Sequence, residues 1–269
     1  GITHTLSSKT FYEFKINSFF TTLREDANGK DWYLYAEPKD IITFPIEYFN
    51  INRDTINVIP GDGFWDVGNN FNWRDHYTQE LSIRGDLTNF FDEKNKFKAG
   101  FNFQFQEMQY ISINKPWIGE LGYNNDIFKV YPATGSFYAQ DNINFSGMIL
   151  NFGLRIDYWF PGKYVDDAVE NPDVVTIPDE IRIKYKDDTF EWFGGRRFKA
   201  RLSPRLGISH PVSDNQTLFF SYGHFSKWPK PQNVYQKISP ANAQSTFQTF
   251  GNPNLNPETS VSYELGLKT

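Results

Sequence analysis

The sequence predicts an all-β chain: a segment of an antiparallel transmembrane β-barrel with about nine strands. Three observations carry that expectation. Apolar and polar residues alternate with period 2 in one run after another, as in strands whose two faces meet unlike surroundings. The connections between these runs alternate short and long along the chain. Aromatics reach 18%, with 27 Phe, 15 Tyr and 7 Trp, although the mean hydropathy is −0.56. No stretch approaches the roughly 20 apolar residues of a membrane-spanning helix, whereas a barrel strand turns only every second residue to lipid.

Taken in order, Gly1–Leu6 reads as the end of one strand. From Phe11 the run FYEFKINSFFTTL sets Tyr12, Phe14, Ile16 and Phe20 on one face and Glu13, Lys15 and Asn17 on the other. A weaker run over about 77–90 puts Glu80, Arg84 and Asp86 on its polar face. In NKFKAGFNFQFQEM, Phe97, Phe101, Phe103 and Phe105 oppose Lys98, Asn102 and Gln104. After a weaker run at about 135–145, GMILNFGLRIDYW opposes Leu150, Phe152, Leu154 and Ile156 to Arg155 and Asp157. KARLSPRLGIS sets Ala200, Leu202, Pro204, Leu206 and Ile208 against Lys199, Arg201, Ser203 and Arg205. The last runs cover about 216–225 and 258–268, the latter with Val261, Tyr263, Leu265 and Leu267 on its apolar side.

Short connections fall at 7–9, 92–95, 146–147 and 211–215; long ones at about 24–76, 111–134, 160–197 and 226–257. Outer-membrane barrels keep this rule, with tight periplasmic turns and long extracellular loops, while soluble sandwiches have no reason to. In such a barrel the charged face is a wet lumen and the Phe-Leu-Ile face meets lipid. Trp32, Trp65, Trp73, Trp117, Trp192 and Trp228 fall in the long loops, and Trp159 sits where its strand meets one. With Tyr33 and Tyr35 these loop rings are candidate ligand contacts, suited to stacking on sugars or chelates; packing within the loops explains them equally well.

The closing stretch FGNPNLNPETSVSYELGLK holds Asn252-Pro253 and Asn256-Pro257 ahead of an alternating run. A residue before proline is pushed to extended backbone, and proline donates no hydrogen bond, so the descending chain is kept from joining the sheet early. This segment resembles the Asn-Pro-x-Leu-x-Pro-Glu-Thr-Ser stretch in the barrel of TonB-dependent outer-membrane receptors. SPRLGISHPVSDNQTLFFSYGHF and GSFYAQDNINFSGMILNFGLRIDYW are similar to two further hairpins of that family, in the branch with a carboxypeptidase-regulatory-like domain ahead of the plug. The resemblance covers about 77–269, and residues 24–73 match nothing in it. It implies a Gram-negative outer membrane and a barrel of about 22 strands around a plug, of which these strands are part. It further implies a receptor for TonB-coupled uptake of an iron chelate, glycan or peptide. TonB would act through an N-terminal part outside this segment, and a surface lipoprotein is a possible partner. Both ends read as cut strands, so the segment is expected to belong to a longer chain, with any export signal outside it.

Nothing in the sequence marks catalysis. The four histidines lack metal-ligand spacing, PGDGFWD around Gly61 and Gly63 is a turn signal, and there is no cysteine. A net charge of −5 argues against nucleic acid. The acidic stretch from Asp166 to Glu191, with Asp167, Asp173, Asp179, Glu180, Asp187 and Asp188, has the oxygens for calcium but not the EF-hand spacing. It reads first as a solvated loop; beside Trp192 and Trp228 its carboxylates would also fit a glycosidase cleft. The expectation is no enzyme and no cofactor. Two other functions fit the same residues: a non-transporting outer-membrane scaffold or adhesin, and a soluble carbohydrate-active β protein.

Overall fold

The computed structural model describes residues 1–40, 46–49, 55–58, 65–213, 215–238 and 249–268. Gly61 and Gly63 lie outside the described residues. The strands are β1 (Ile2–Ser7), β2 (Thr10–Glu25), β3 (Ile46–Phe49), β4 (Thr55–Val58), β5 (Asn72–Phe90), β6 (Asn95–Asn114), β7 (Asn124–Val130), β8 (Ala133–Phe145), β9 (Met148–Phe160), β10 (Phe190–Trp192), β11 (Arg196–Ser213), β12 (Gln216–Lys227) and β13 (Glu258–Lys268). Among the described residues three α-helices fall between them: α1 (Lys163–Glu170), α2 (Asp179–Asp188) and α3 (Pro231–Tyr235). One sheet runs β1-β2-β5-β6-β8-β9-β11-β12-β13, a path of nine strands, with β7 paired to β6 and β10 to β11. A separate hairpin joins β3 to β4. The chain divides into two compact units, one of 1–21, 77–109 and 128–269, the other of 22–76 and 110–127.

In the first unit the register carries the sequence alternation across the sheet. Phe101 opposes Phe137, Phe137 opposes Ile156, and Ile156 opposes Leu202. Phe152 opposes Leu206, Leu206 opposes Tyr222, and Tyr222 opposes Tyr263. Directly opposed residues share a face, so one apolar surface continues from β6 to β13, and its large side chains are exposed. The reverse face pairs Tyr138 with Arg155 and Arg155 with Ser203.

Glycines sit under aromatic rings in this sheet. Tyr138 lies over its partner Gly100, Tyr158 over Gly135 and Phe219 over Gly266, each ring filling the space where a Cβ would stand. Pro204 stands within β11, where a proline removes one ladder hydrogen bond. It opposes Leu154 of β9, while the ladder to β12 begins only at Arg205. Above that point β12 pairs β13 alone, as far as Lys227 opposite Glu258.

The strands exceed the sequence expectation at their loop ends. β5 runs 19 residues and β6 20, and both are longer than the 9–11 a bilayer requires. The expected loop at 111–134 instead holds the end of β6 and all of β7, because NNDIFKV alternates with Asp126, Phe128 and Val130 buried. The expected solvated loop at 160–197 folds into α1, α2 and β10. Val165, Ala168 and Val169 lie at helical spacing in α1 and pack inward with Val174, Ile177 and Tyr185. Trp73, expected in a long loop, is the second residue of β5, while Trp159 stands at the loop end of β9 as expected.

Candidate functional site

Three groups of side chains are candidates for function: the polar face of the sheet, the packed segment at 160–257, and the second unit. On the polar face the charges are largely paired along or across strands. Glu80 accepts from Gln104 Nε2 at 3.2 Å and Gln106 Nε2 at 2.7 Å, and Thr134 donates to Gln104 Oε1 at 3.0 Å. Arg84 Nε meets Asp86 at 2.6 Å, where the Tyr138 hydroxyl also donates at 2.6 Å. Arg155 Nε meets Asp157 at 2.7 Å, and Lys15 lies 3.4 Å from Glu13. Arg205 stacks 4.8 Å above the Phe225 ring. Lys98 and Arg201 have no hydrogen-bond or ion-pair partner among the described residues. The opposite face carries Phe14, Ile16, Phe101, Phe103, Phe152, Leu154, Leu206, Val261, Tyr263 and Leu265, by strand parity and register.

In the first unit, the described residues of 160–195 and 228–257 pack beside the ends of β9 and β11 with a small core of their own. The Arg182 guanidinium donates to the carbonyls of Ile177 (3.1 Å), Ala168 (3.0 Å), Val169 and Val174 (2.6 Å), tying α2 to the chain that precedes it. Tyr235 OH donates to Pro161 O at 2.9 Å, and its ring lies 5.8 Å from Phe128. Asp166 is buried and accepts from Tyr185 OH at 2.8 Å, with Arg196 3.6 Å away. Burial pushes its carboxyl above the ordinary range, and the tyrosine and arginine only partly oppose this.

The Asn-Pro stretch is held from below by one side chain. Lys199 is 4% exposed, and its Nζ donates to Asn254 O (3.0 Å), Asn254 Oδ1 (2.7 Å), Leu255 O (3.2 Å) and Asn256 Oδ1 (3.2 Å). Asn254 Nδ2 in turn donates to Asp188 at 2.8 Å. Four oxygens around a buried ammonium offset part of its desolvation, and the group ties down the backbone that the two prolines leave without donors. Sequence reading set Lys199 only on the polar face of its strand, without these contacts, and missed Arg182. Both act across gaps in the chain that no spacing rule spans.

In the second unit a core forms from Tyr35 (6% exposed), Trp73 (4%) and Ile113, with Trp32 and Trp117 packed against it. Trp73 Nε1 donates to Lys30 O at 3.2 Å, and Tyr35 OH accepts from the Ala27 amide at 2.7 Å. Asp26, which accepts from the Gly29 amide and Arg24, is held below its ordinary range by these bonds.

Of the eight candidate ligand rings, Tyr35 and Trp73 are therefore corrected to buried core residues, because their rings are spent on packing. Trp32 and Trp117 are partly buried beside them, while Tyr33 and Trp65 are exposed. Trp228 packs on the buried Trp159 at 5.6 Å. Trp192 opposes Arg196, and Phe190 opposes Phe198, so by parity Trp192 lies on the apolar side with Phe198 and Phe160 rather than on the polar side.

The carboxylates of the acidic stretch have separate partners: Asp167 with Lys163, Glu180 with Lys184, Asp188 with Asn254 and Glu191 with Arg197. Among the described residues no three His, Asp or Glu side chains stand together as metal ligands would.

Comparison with known families gives one match. The family of TonB dependent receptor-like β-barrels matches residues 1–269. No curated protein matches the chain. A match over the whole length, with a largely antiparallel sheet of long strands, means that this chain belongs to the TonB-dependent receptor-like β-barrel family, a family of outer-membrane receptors and transporters.

Proposed function

We propose that this chain forms part of the wall and outer loops of a receptor for energy-coupled uptake of a scarce nutrient: an iron chelate, a glycan or a peptide. The single observation that carries the reading is the apolar face from β6 to β13, interrupted at Asp141 and edged with aromatics at both ends. At the turn end it carries Phe145 and Phe97; at the loop end Phe160, Phe198, Phe190 and Trp192. β9 runs Met148–Phe160 between these rims. At a rise of about 3.4 Å per residue and a tilt near 40°, that is roughly 30 Å along the membrane normal, close to the apolar band and flanking girdles of a bilayer-spanning barrel.

On this reading Phe14, Ile16, Phe101, Phe103, Phe152, Leu154, Leu206, Val261, Tyr263 and Leu265 face lipid. Glu13, Lys15, Glu80, Arg84, Asp86, Lys98, Gln104, Arg155, Asp157, Arg201 and Arg205 face the lumen. The segments at about 24–76, 111–134, 160–197 and 226–257 lie outside the cell, where Tyr33 and Trp65 are among the exposed rings that can meet a ligand. Coupling to TonB would act through an N-terminal part of the receptor, and a surface lipoprotein could close over the loops. The test is differential extraction of the native receptor combined with protease treatment of whole cells. Extraction only by detergent, with cleavage inside 24–73 and 160–197, is the expected result. Release into the aqueous fraction would mean that the apolar face is a soluble interface, and would overturn the proposal.

A further inference from the structure

Where β5, β6, β8, β9 and β11 cross the polar face, a shallow cavity of about 250 Å³ is lined by Arg84, Lys98, Arg155 and Arg205 and by no carboxylate. Two of these cations are offset from outside the cavity: Arg84 by Asp86 at 2.6 Å and Arg155 by Asp157 at 2.7 Å. Lys98 and Arg205 have no carboxylate partner among the described residues, Arg205 being engaged only with the Phe225 ring. The floor holds Ser203, 2% exposed, whose hydroxyl finds no hydrogen-bond partner among the described residues. A buried hydroxyl left open costs free energy, and like charges around one dent repel; both are relieved by the same occupant, an anion with several acceptor oxygens.

We infer that this cavity is an oxyanion site, taking the phosphate-like group of a small anionic solute between Lys98, Arg155 and Arg205, with Ser203 donating from below. Arginine forks suit phosphate and carboxylate oxygens bidentately, and Lys98 adds a point charge. The neighbouring side chains argue for a small solute over an acidic protein segment. Lys98 and Arg205, both without a carboxylate partner among the described residues, meet in one dent, while Arg201 lies outside it. Around it the same face turns polar or acidic, with Gln140, Asp86, Asp157 and Glu80, and an extended acidic partner would meet repulsion there. The inference rests on the proposed reading of this face as a water-facing wall, and it assigns that wall a class of cargo.

The test is titration calorimetry of the intact receptor in detergent, with inorganic phosphate as the probe at low salt. Folding of every variant is checked by its heat-modifiable migration on gels. Saturable binding is expected, weakened at least tenfold in Lys98→Gln and in Arg205→Gln and several-fold in Ser203→Ala. Lys98→Arg should retain it. Lys96→Gln should bind as the parent does, since Lys96 lies outside the cavity, 5.3 Å over the Phe90 ring. Absence of saturable binding in folded protein would overturn the site, as would an equal loss in Lys96→Gln, or binding of an oligoglutamate peptide without binding of phosphate. Phosphate binding does not require transport, so a receptor that binds phosphate yet takes up no nutrient would sink the uptake reading and leave the site standing. Uptake without phosphate binding would do the reverse.

Discussion

Two residues hold positions that no neighbour can take over. Lys199 places one ammonium among four oxygens of the Asn-Pro stretch, and methionine there would keep the volume while leaving those oxygens without this donor. Lys199→Met should therefore cost about 2–3 kcal/mol of order in that stretch. Limited proteolysis should detect the change as new cleavage at 249–257 in a barrel that still migrates as folded. Unchanged protection would mean the prolines alone fix the strand entry. Gly135 is constrained differently. A Cβ there would overlap the Tyr158 hydroxyl and also the Asn102 carbonyl, and the backbone cannot swing aside. Gly135→Ala should lower the barrel's unfolding midpoint by the equivalent of about 1–3 kcal/mol, the cost of overpacking. Gly194→Ala, at an open site of positive φ, should cost less than Gly135→Ala and leave the sheet's packing unchanged. These constraints were not legible in the sequence, since a glycine in a strand reads the same whether a ring covers it or not.

At the scale of elements, the strands were legible and the packed loops were not, for one physical reason. An alternation sustained over six or more residues specifies a two-faced strand without reference to anything else, as in NKFKAGFNFQFQEM of β6. In α1 the helical signal is confined to Val165, Ala168 and Val169, within eight residues that also carry three carboxylates, and it gains meaning only from the core it joins. The side of Trp192 was fixed only by the register of the β10–β11 hairpin. The α1–α2 element also has its own pH response. Asp166 faces Tyr185, Arg196 and Arg197, and burial raises its folded pKa above the unfolded value. Below the ordinary carboxylate pKa it is protonated in both states and contributes no pH dependence. As pH rises through the folded pKa, the unfolded form has already lost its proton, so this group's contribution falls. The protection of 160–197 against protease in Asp166→Asn should therefore gain on the parent as pH rises across that window. A constant difference between the two would show that Asp166 is ionised at no cost.

For the whole molecule, the decisive question is whether the exposed apolar face is solvated by lipid, and that question has a depth-dependent answer. Leu154 stands between Ala139 and Pro204 near the middle of the band, while Phe160 lies at the loop-end rim beside Phe198. Both are on the same face of β9, so strand propensity and sheet pairing are nearly matched between them. An arginine at the centre of a bilayer costs about 2–4 kcal/mol, against about 0–1 kcal/mol near an interface. Leu154→Arg should thus lower the unfolding free energy of the receptor refolded into lipid vesicles by several times as much as Phe160→Arg. A protein–protein interface would give no such gradient with distance along β9, because its cost follows local packing rather than depth. Refolding in vesicles of thinner acyl chains adds a second reading on the same pair. Thinning the hydrocarbon should bring the interface closer to Leu154 and shrink the penalty there, while the cost at Phe160 stays near zero. Equal penalties at both sites, unmoved by bilayer thickness, would remove the lipid assignment of the face and with it the lumen assignment of the other.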